Sequence, residues 1–242
     1  MMYETAGALS VLARKLGFCC IFKSSYCKAN RSSHDSPRGP GLERGLELLA
    51  DLRRDFTLPI LTDIHETSEA VRAARVADVL QIPALLSRQT ALIEAAAATG
   101  RVVNLKKGQF MSPELACLAA EKALKAGGGG VMLTERGTFF GYGDLVVDFR
   151  SLRVMAESGC PVVFDATHSV QQPGGAGRSS AGRREFIPLL ARAAVAAGVD
   201  GIFLEVHPRP ASAESDPATS LGLDEAGKLI TELVELGDHV RK

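Results

Sequence analysis

Cys160-Pro161-Val162-Val163-Phe164-Asp165-Ala166-Thr167-His168-Ser169-Val170-Gln171 is an apolar run that gives way abruptly to polar residues. Its first part, Cys160 to Phe164, reads as a short buried strand. Its second part hands Asp165, Thr167 and His168 to whatever lies beyond the strand's C-terminal end. In parallel α/β sheets that end is where ligands bind. A second stretch of the same kind follows: Gly201-Ile202-Phe203-Leu204-Glu205-Val206-His207-Pro208, and then Ser215-Asp216. His168, Glu205 and Asp216 offer one imidazole and two carboxylates. That donor set suits a divalent transition metal such as zinc, iron or manganese. The plainer reading is of polar groups satisfied at strand ends.

Outward from this stretch the chain alternates between two periodicities. Strands are expected over 18–22, 59–63, 79–82, 102–105, 131–134, 161–164 and 201–205. Phe18-Cys19-Cys20-Ile21-Phe22 has the continuous apolar pattern of a strand buried on both faces. Helices are expected over 3–16, 42–56, 67–75, 90–99, 113–125, 149–157, 184–197 and 223–236. Ser112 caps the fifth of these, with Pro113 at its first position, where proline fits. Thr90 is expected to cap the fourth. Long loops are expected over 23–40, 136–144 and 173–182, the last of them rich in glycine.

Repeated βα units imply a parallel sheet with right-handed crossovers. No linker or composition shift interrupts them, so residues 1–242 read as one domain. A closed TIM (β/α)₈ barrel needs eight strands. Seven are expected here and the chain opens on a helix, so the reading is a TIM barrel whose first strand would precede Met1. An open doubly wound sheet is the alternative, but no dinucleotide-type glycine fingerprint follows any strand.

Composition narrows the function. The 242 residues are 46% hydrophobic, enough for one sizeable core. Lys and Arg (28) balance Asp and Glu (28), which argues against a nucleic-acid or anionic-membrane binder. Five cysteines, an odd number without zinc-like spacing, point to a reducing, cytoplasmic setting. No apolar run is long enough to span a bilayer. The first residues lack the basic and apolar regions of a signal peptide.

The strand ends carry an unusual set of cations. Lys23, Lys28 and Arg31 follow the first expected strand, with Asn30, Ser32 and Ser33 beside them. Asp63 and His65, Gln81, Lys106 and Lys107, and Arg136 follow later strands. Basic residues gathered at one face form a pocket for phosphate and carboxylate groups. A solvated rim is the plainer alternative. Arg88 has no role by this reasoning.

These residues also carry a resemblance. Phe22-Lys23-Ser24-Ser25, Lys28-Ala29-Asn30-Arg31-Ser32-Ser33, Thr62-Asp63-Ile64-His65-Glu66, Gln81-Ile82-Pro83-Ala84, Arg88-Gln89-Thr90, Asn104-Leu105-Lys106-Lys107-Gly108-Gln109-Phe110, Thr134-Glu135-Arg136-Gly137 and Phe164-Asp165-Ala166-Thr167-His168 occur in this order. From about Phe18 onward the chain resembles the 3-deoxy-D-manno-octulosonate 8-phosphate synthases. The resemblance implies a (β/α)₈-barrel enzyme, typically a cytoplasmic homotetramer supplying lipopolysaccharide sugar. It condenses phosphoenolpyruvate with D-arabinose 5-phosphate and water and releases phosphate.

The resemblance also implies roles. Lys23, Lys28, Lys106 and Arg136 match the phosphoenolpyruvate-binding set, with Lys28, Lys106 and His168 nearest the chemistry. Asn30, Arg31, Ser32, Asp63 and Gln81 match contacts to the sugar phosphate. Arg88 matches a residue reaching that phosphate in a neighbouring subunit. His168, Glu205 and Asp216 match three ligands of the family's metal-dependent branch, whose ion is Fe, Mn or Zn. The fourth, a cysteine in a Gly-Pro-Cys motif ending the first strand, has no counterpart here. Cys19 and Cys20 are poor substitutes. Two alternatives stand beside this reading. One is a 3-deoxy-D-arabino-heptulosonate 7-phosphate synthase using erythrose 4-phosphate. The other is a catalytically impaired barrel that binds a phosphosugar.

Overall fold

The computed structural model describes residues 1–29, 38–176 and 179–240, with residues 173–176 and 179–180 described by their backbone. Helix α1 (Met2–Leu16) leads to β1 (Phe22–Lys23), α2 (Leu42–Phe56) to β2 (Ile60–Asp63), and the short α3 (Ala70–Ala73) to β3 (Val79–Ile82). Then α4 (Thr90–Ala97) leads to β4 (Val102–Lys106), and α5 (Pro113–Lys125) to β5 (Val131–Glu135). A small hairpin, β6 (Thr138–Phe139) and β7 (Leu145–Val146), precedes α6 (Arg150–Ala156) and β8 (Val162–Asp165). A second hairpin, β9 (Gln171–Ala176) and β10 (Ser179–Gly182), precedes α7 (Ile187–Ala196), β11 (Gly201–Phe203) and α8 (Leu223–Val240).

Seven strands form one sheet in the order β1-β2-β3-β4-β5-β8-β11, every neighbour parallel. Helical crossovers cover the outer face, so the central strands are buried on both sides, and all four residues of β2 and of β3 are buried. The helices turn narrow apolar stripes inward. Leu46, Leu49 and Leu52 are the buried leucines of α2, and Ala116, Ala119, Ala120 and Ala123 line α5. Gly45 sits inside α2 despite its low helix propensity, because the side chain of Tyr26 occupies the place where its Cβ would be. No described helix is long and apolar enough to cross a membrane.

β1 and β11 stand at opposite ends of the strand order, yet both line the same cavity of about 1090 Å³. The sheet is therefore curled, as in a TIM-type α/β barrel, and open at one seam. Met2 and Leu9 of α1 and Ile230 and Leu233 of α8 also line this seam. Among the described residues no strand pairs with the outer edge of β1 or of β11.

Three expectations need correction. The strand over 18–22 is reduced to Phe22–Lys23, with Cys19 exposed and Ile21 37% exposed. An apolar run becomes a doubly buried strand only with neighbours on both edges, and here one edge faces the open seam. The Gly-rich loop over 173–182 is a hairpin, as is part of 136–144, because antiparallel pairing satisfies backbone groups that a loop leaves to water. Thr90 does not cap α4. Gln89 stands at the cap without a side-chain bond, and the Thr90 hydroxyl accepts from Lys122 instead.

Candidate active site

The C-terminal ends of the strands bring most of the expected residues together. Strand side chains alternate between faces, so Asn104 and Lys106 of β4 point the same way, into the barrel. There a polar ladder crosses four strands. Gln81 Nε2 donates to Asp63, Asn104 Nδ2 donates to Gln81 Oε1 at 2.9 Å, and Thr134 Oγ1 donates to Asn104 Oδ1 at 2.8 Å. All four residues are buried. A buried polar network is stable only when each member is satisfied, and such a network fixes rotamers tightly. Asn104 was missed as a site residue. Its period-two spacing from Lys106 was the available signal.

Above the ladder lies a chain of charges. Lys23 Nζ pairs with Asp63 Oδ2 at 2.9 Å, and the Ser25 hydroxyl also donates to Asp63. Burial alone would raise Asp63, but Lys23 outweighs it and holds the carboxyl well below the usual range. Lys28 Nζ reaches Ser25 Oγ at 3.4 Å. The charge of Lys23, and then burial, push Lys28 below its ordinary value. Tyr26 anchors this segment. It is buried, donates to Glu69 at 2.8 Å and packs edge-on against His65. Lys28 N–H bonds Arg38 O at 2.8 Å, and Asn30, Arg31 and Ser32 lie outside the described residues.

The opening stretch of sequence supplies the far wall. Asp165 Oδ2 lies 2.6 Å from Lys106 Nζ and 2.7 Å from His168 Nδ1, with its carboxylate fully buried. Burial opposes ionisation, but His168 and Lys106 together keep Asp165 far below the ordinary carboxylate range. Lys106 also sits 4.3 Å above the Phe203 ring, a cation–π contact. Asp165 was expected at this strand end, whereas Phe203, which the structure places against Lys106, had no role by sequence reasoning. Arg136 is 5% exposed, and burial pushes its guanidinium below the usual value. Its Nη2 donates to Gln171 Oε1 at 2.8 Å, while Nη1 is buried with no partner among the described residues. A buried guanidinium nitrogen without an acceptor is costly, and a bound anion relieves that cost.

His168, Glu205 and Asp216 come together as expected. One ligand atom from each lies within 4.8 Å of the others. Asp165 engages His168 Nδ1, which leaves Nε2 facing Glu205 Oε1 at 3.4 Å. A carboxylate behind a histidine is the arrangement that orients metal-bound imidazoles. Burial opposes ionisation of Glu205, but His168, followed by Lys28 and Lys23, brings it down to about 2. Gln171 Nε2 donates to Asp216 Oδ1 at 2.5 Å, and Asp216 holds a left-handed backbone (φ 51°), unusual outside glycine. One nitrogen and two carboxylate oxygens fit a divalent transition ion. No cysteine joins the group among the described residues. Cys20 lines the seam instead, and burial pushes its thiol up to about 11, away from the thiolate a metal needs.

Arg88 stands apart. It is exposed, just ahead of α4, and not part of this constellation.

Comparison with known proteins places the chain in a family. The family model described as the DAHP synthetase I family matches residues 1–242. The 2-dehydro-3-deoxyphosphooctonate aldolase of Bordetella bronchiseptica is 53% identical over 248 residues, covering 100% of this chain and 87% of its own length. The protein of the same name from Aromatoleum aromaticum is 53% identical over 243 residues, with the same coverage of 100% and 87%. That from Nitratidesulfovibrio vulgaris is 57% identical over 233 residues, covering 96% of this chain and 85% of its own. With its family's model matched along the whole length and relatives at more than half identity, the chain belongs to the DAHP synthetase I family.

Proposed function

We propose that this chain is a transferase that condenses phosphoenolpyruvate with D-arabinose 5-phosphate and water, giving 3-deoxy-D-manno-octulosonate 8-phosphate and inorganic phosphate. The relatives' printed name describes the same eight-carbon keto-acid phosphate, so the reading agrees with theirs. One observation carries it. Lys23, Lys28, Lys106 and Arg136 converge at the C-terminal ends of the strands around His168, and Arg136 Nη1 waits without an acceptor. Two anionic substrates share a pocket only where cations offset their mutual repulsion.

In this reading Lys106 and Arg136 hold the carboxylate and phosphate of phosphoenolpyruvate, with Lys23 and Lys28 completing the positive wall. Asp63 and Gln81, fixed in the polar ladder, line the sugar chain, and Asn30, Arg31 and Ser32 meet its far end. The enol carbon attacks the aldehyde carbon, water adds to the pyruvyl carbon, and the C–O bond to phosphate breaks. Fixing two substrates in contact supplies much of such a rate enhancement. Lys28, Lys106 and His168 lie nearest the reacting atoms and steady the developing oxyanions. His168, Glu205 and Asp216 would hold a divalent ion of the Fe, Mn or Zn type, which when bound would supply Lewis acidity for a substrate oxygen or the attacking water. The resemblance supports a cytoplasmic homotetramer as the working form. Phe139, Phe140 and Tyr142 are exposed on the β6–β7 hairpin, the kind of aromatic surface that a second copy covers.

Phosphate release tests the reading. With added Mn²⁺ or Fe²⁺, arabinose 5-phosphate should support release and erythrose 4-phosphate should not. Release with erythrose 4-phosphate alone would assign the seven-carbon product. No release with either sugar would leave a phosphosugar-binding barrel.

Arg88 supplies a second test. Its exposure fits a side chain that reaches the sugar phosphate bound by a neighbouring copy. A charged phosphate contact is worth about 1.5–3 kcal/mol. Arg88→Ala should therefore raise KM for arabinose 5-phosphate at least about tenfold and leave KM for phosphoenolpyruvate nearly unchanged. Equal changes in both would remove Arg88 from the site.

A further inference from the structure

Lys106 and Lys107 are adjacent in sequence but serve different layers. Lys106 enters the barrel. Lys107 points the other way and is 1% exposed, as is Glu135, which its ammonium meets at 3.4 Å. Glu135 is fully engaged. Its Oε1 accepts the backbone N–H of Arg136 at 3.0 Å and of Gly137 at 2.7 Å, and its Oε2 accepts the Ser151 hydroxyl of α6 at 2.7 Å. Lys107 Nζ donates to Met111 O at 3.2 Å and to Thr138 Oγ1 at 3.0 Å. The pair therefore grips the chain at Arg136 and just beyond it: at the N–H groups of Arg136 and Gly137, and at the Thr138 hydroxyl. Gly137 has a φ of +88°, so the turn takes a conformation open mainly to glycine, and the two N–H groups turn toward one oxygen.

We propose that Glu135, braced by Lys107, is a positioning residue that sets where the Arg136 guanidinium stands in the pocket. The inference rests on the reading of Arg136 as a phosphoenolpyruvate contact. A buried ion pair is a weak device for stability alone, because two apolar residues of equal volume serve as well or better. It is a strong device for fixing direction, because a carboxylate accepting two successive N–H groups sets the backbone at both. Arg136 has one nitrogen on Gln171 and one unpartnered, so its own side-chain bonds leave its place incompletely determined. The backbone beneath it decides the rest. Displacement of a substrate clamp by about 1 Å can lower rates about a hundredfold.

Steady-state kinetics of the whole enzyme tests this with four variants. Glu135→Ala should raise KM for phosphoenolpyruvate about tenfold or more, with KM for arabinose 5-phosphate changed less than about twofold. Glu135→Gln should recover most of that loss, since its amide oxygen still accepts the two N–H groups. Ser151→Ala removes only the hydroxyl that steadies Oε2, and it keeps the test open if Glu135→Ala fails to fold. It should shift the same constant, in the same direction, by about two- to threefold. Arg136→Lys is the reference. If it raises KM for phosphoenolpyruvate while the Glu135 and Ser151 variants do not, the positioning role is wrong and the reading of Arg136 stands. If Arg136→Lys leaves that constant unchanged, the reading of Arg136 fails and the inference falls with it. Equal shifts in both substrates' constants for the Glu135 variants would show a merely structural residue and overturn the proposal.

Discussion

Replacing His168, Glu205 and Asp216 together by alanine should abolish binding of a divalent transition ion and lower turnover roughly a hundredfold or more. The expectation follows from one nitrogen and two carboxylate ligand atoms lying within 4.8 Å of one another, with Asp165 orienting the imidazole from behind. Three ligands of this mixed type leave positions open for water or substrate. Protein stripped of adventitious ions and refilled with Mn²⁺, Fe²⁺ or Zn²⁺ should hold about one ion per chain. Asp165→Asn should retain the ion but bind it about ten- to a hundredfold more weakly, because it alters only the group behind the histidine. Unchanged metal content in the triple variant would place the ion elsewhere.

Closing the open seam should give the largest gain in stability. Met1 and Met2 line the cavity between β1 and β11, so a short apolar strand joined ahead of Met1 can reach it. A strand there, followed by α1 and then β1, makes the right-handed parallel crossover that such sheets prefer. About three aliphatic side chains contribute roughly 5–9 kcal/mol on burial. Some four backbone hydrogen bonds add about 1 kcal/mol each. Ordering about five residues costs roughly 1.5 kcal/mol apiece. The net gain is of order 2–5 kcal/mol. At about 2–4 °C per kcal/mol for a chain of this size, Tm should rise by about 4–20 °C. It should also reduce self-association, since the outer edges of β1 and β11, unpaired among the described residues, would then be paired. An equal rise with a proline at the centre of the added strand would show that pairing is not the cause.

Local pattern alone gave much of this architecture. The mainly apolar runs at 79–82 and 131–134, broken only by the buried Gln81 and Thr134, are strands largely buried on both faces. The helix that Ser112 caps formed as read, since its hydroxyl accepts from Leu115 N and the stripe of alanines repeats at helical spacing. Strand ends rich in Lys, His and carboxylates marked the site, because chemistry in a parallel sheet collects where the strands stop.

Other features waited on the tertiary structure. Phe18 to Ile21 has the composition of a strand but lacks one neighbour, and no local pattern reports what lies across a sheet edge. The hairpin at 171–182 depends on pairing between segments whose glycines suggest only a loop. Lys106 and Lys107 look equivalent in the chain, yet the pleat sends one to Asp165 in the pocket and the other to Glu135 behind it. The residue types and the order of the elements are local properties, and the sequence by itself determined them. Which charge meets which, and which edge is left open, depend on contacts between residues far apart in the chain, and only the folded structure decided those.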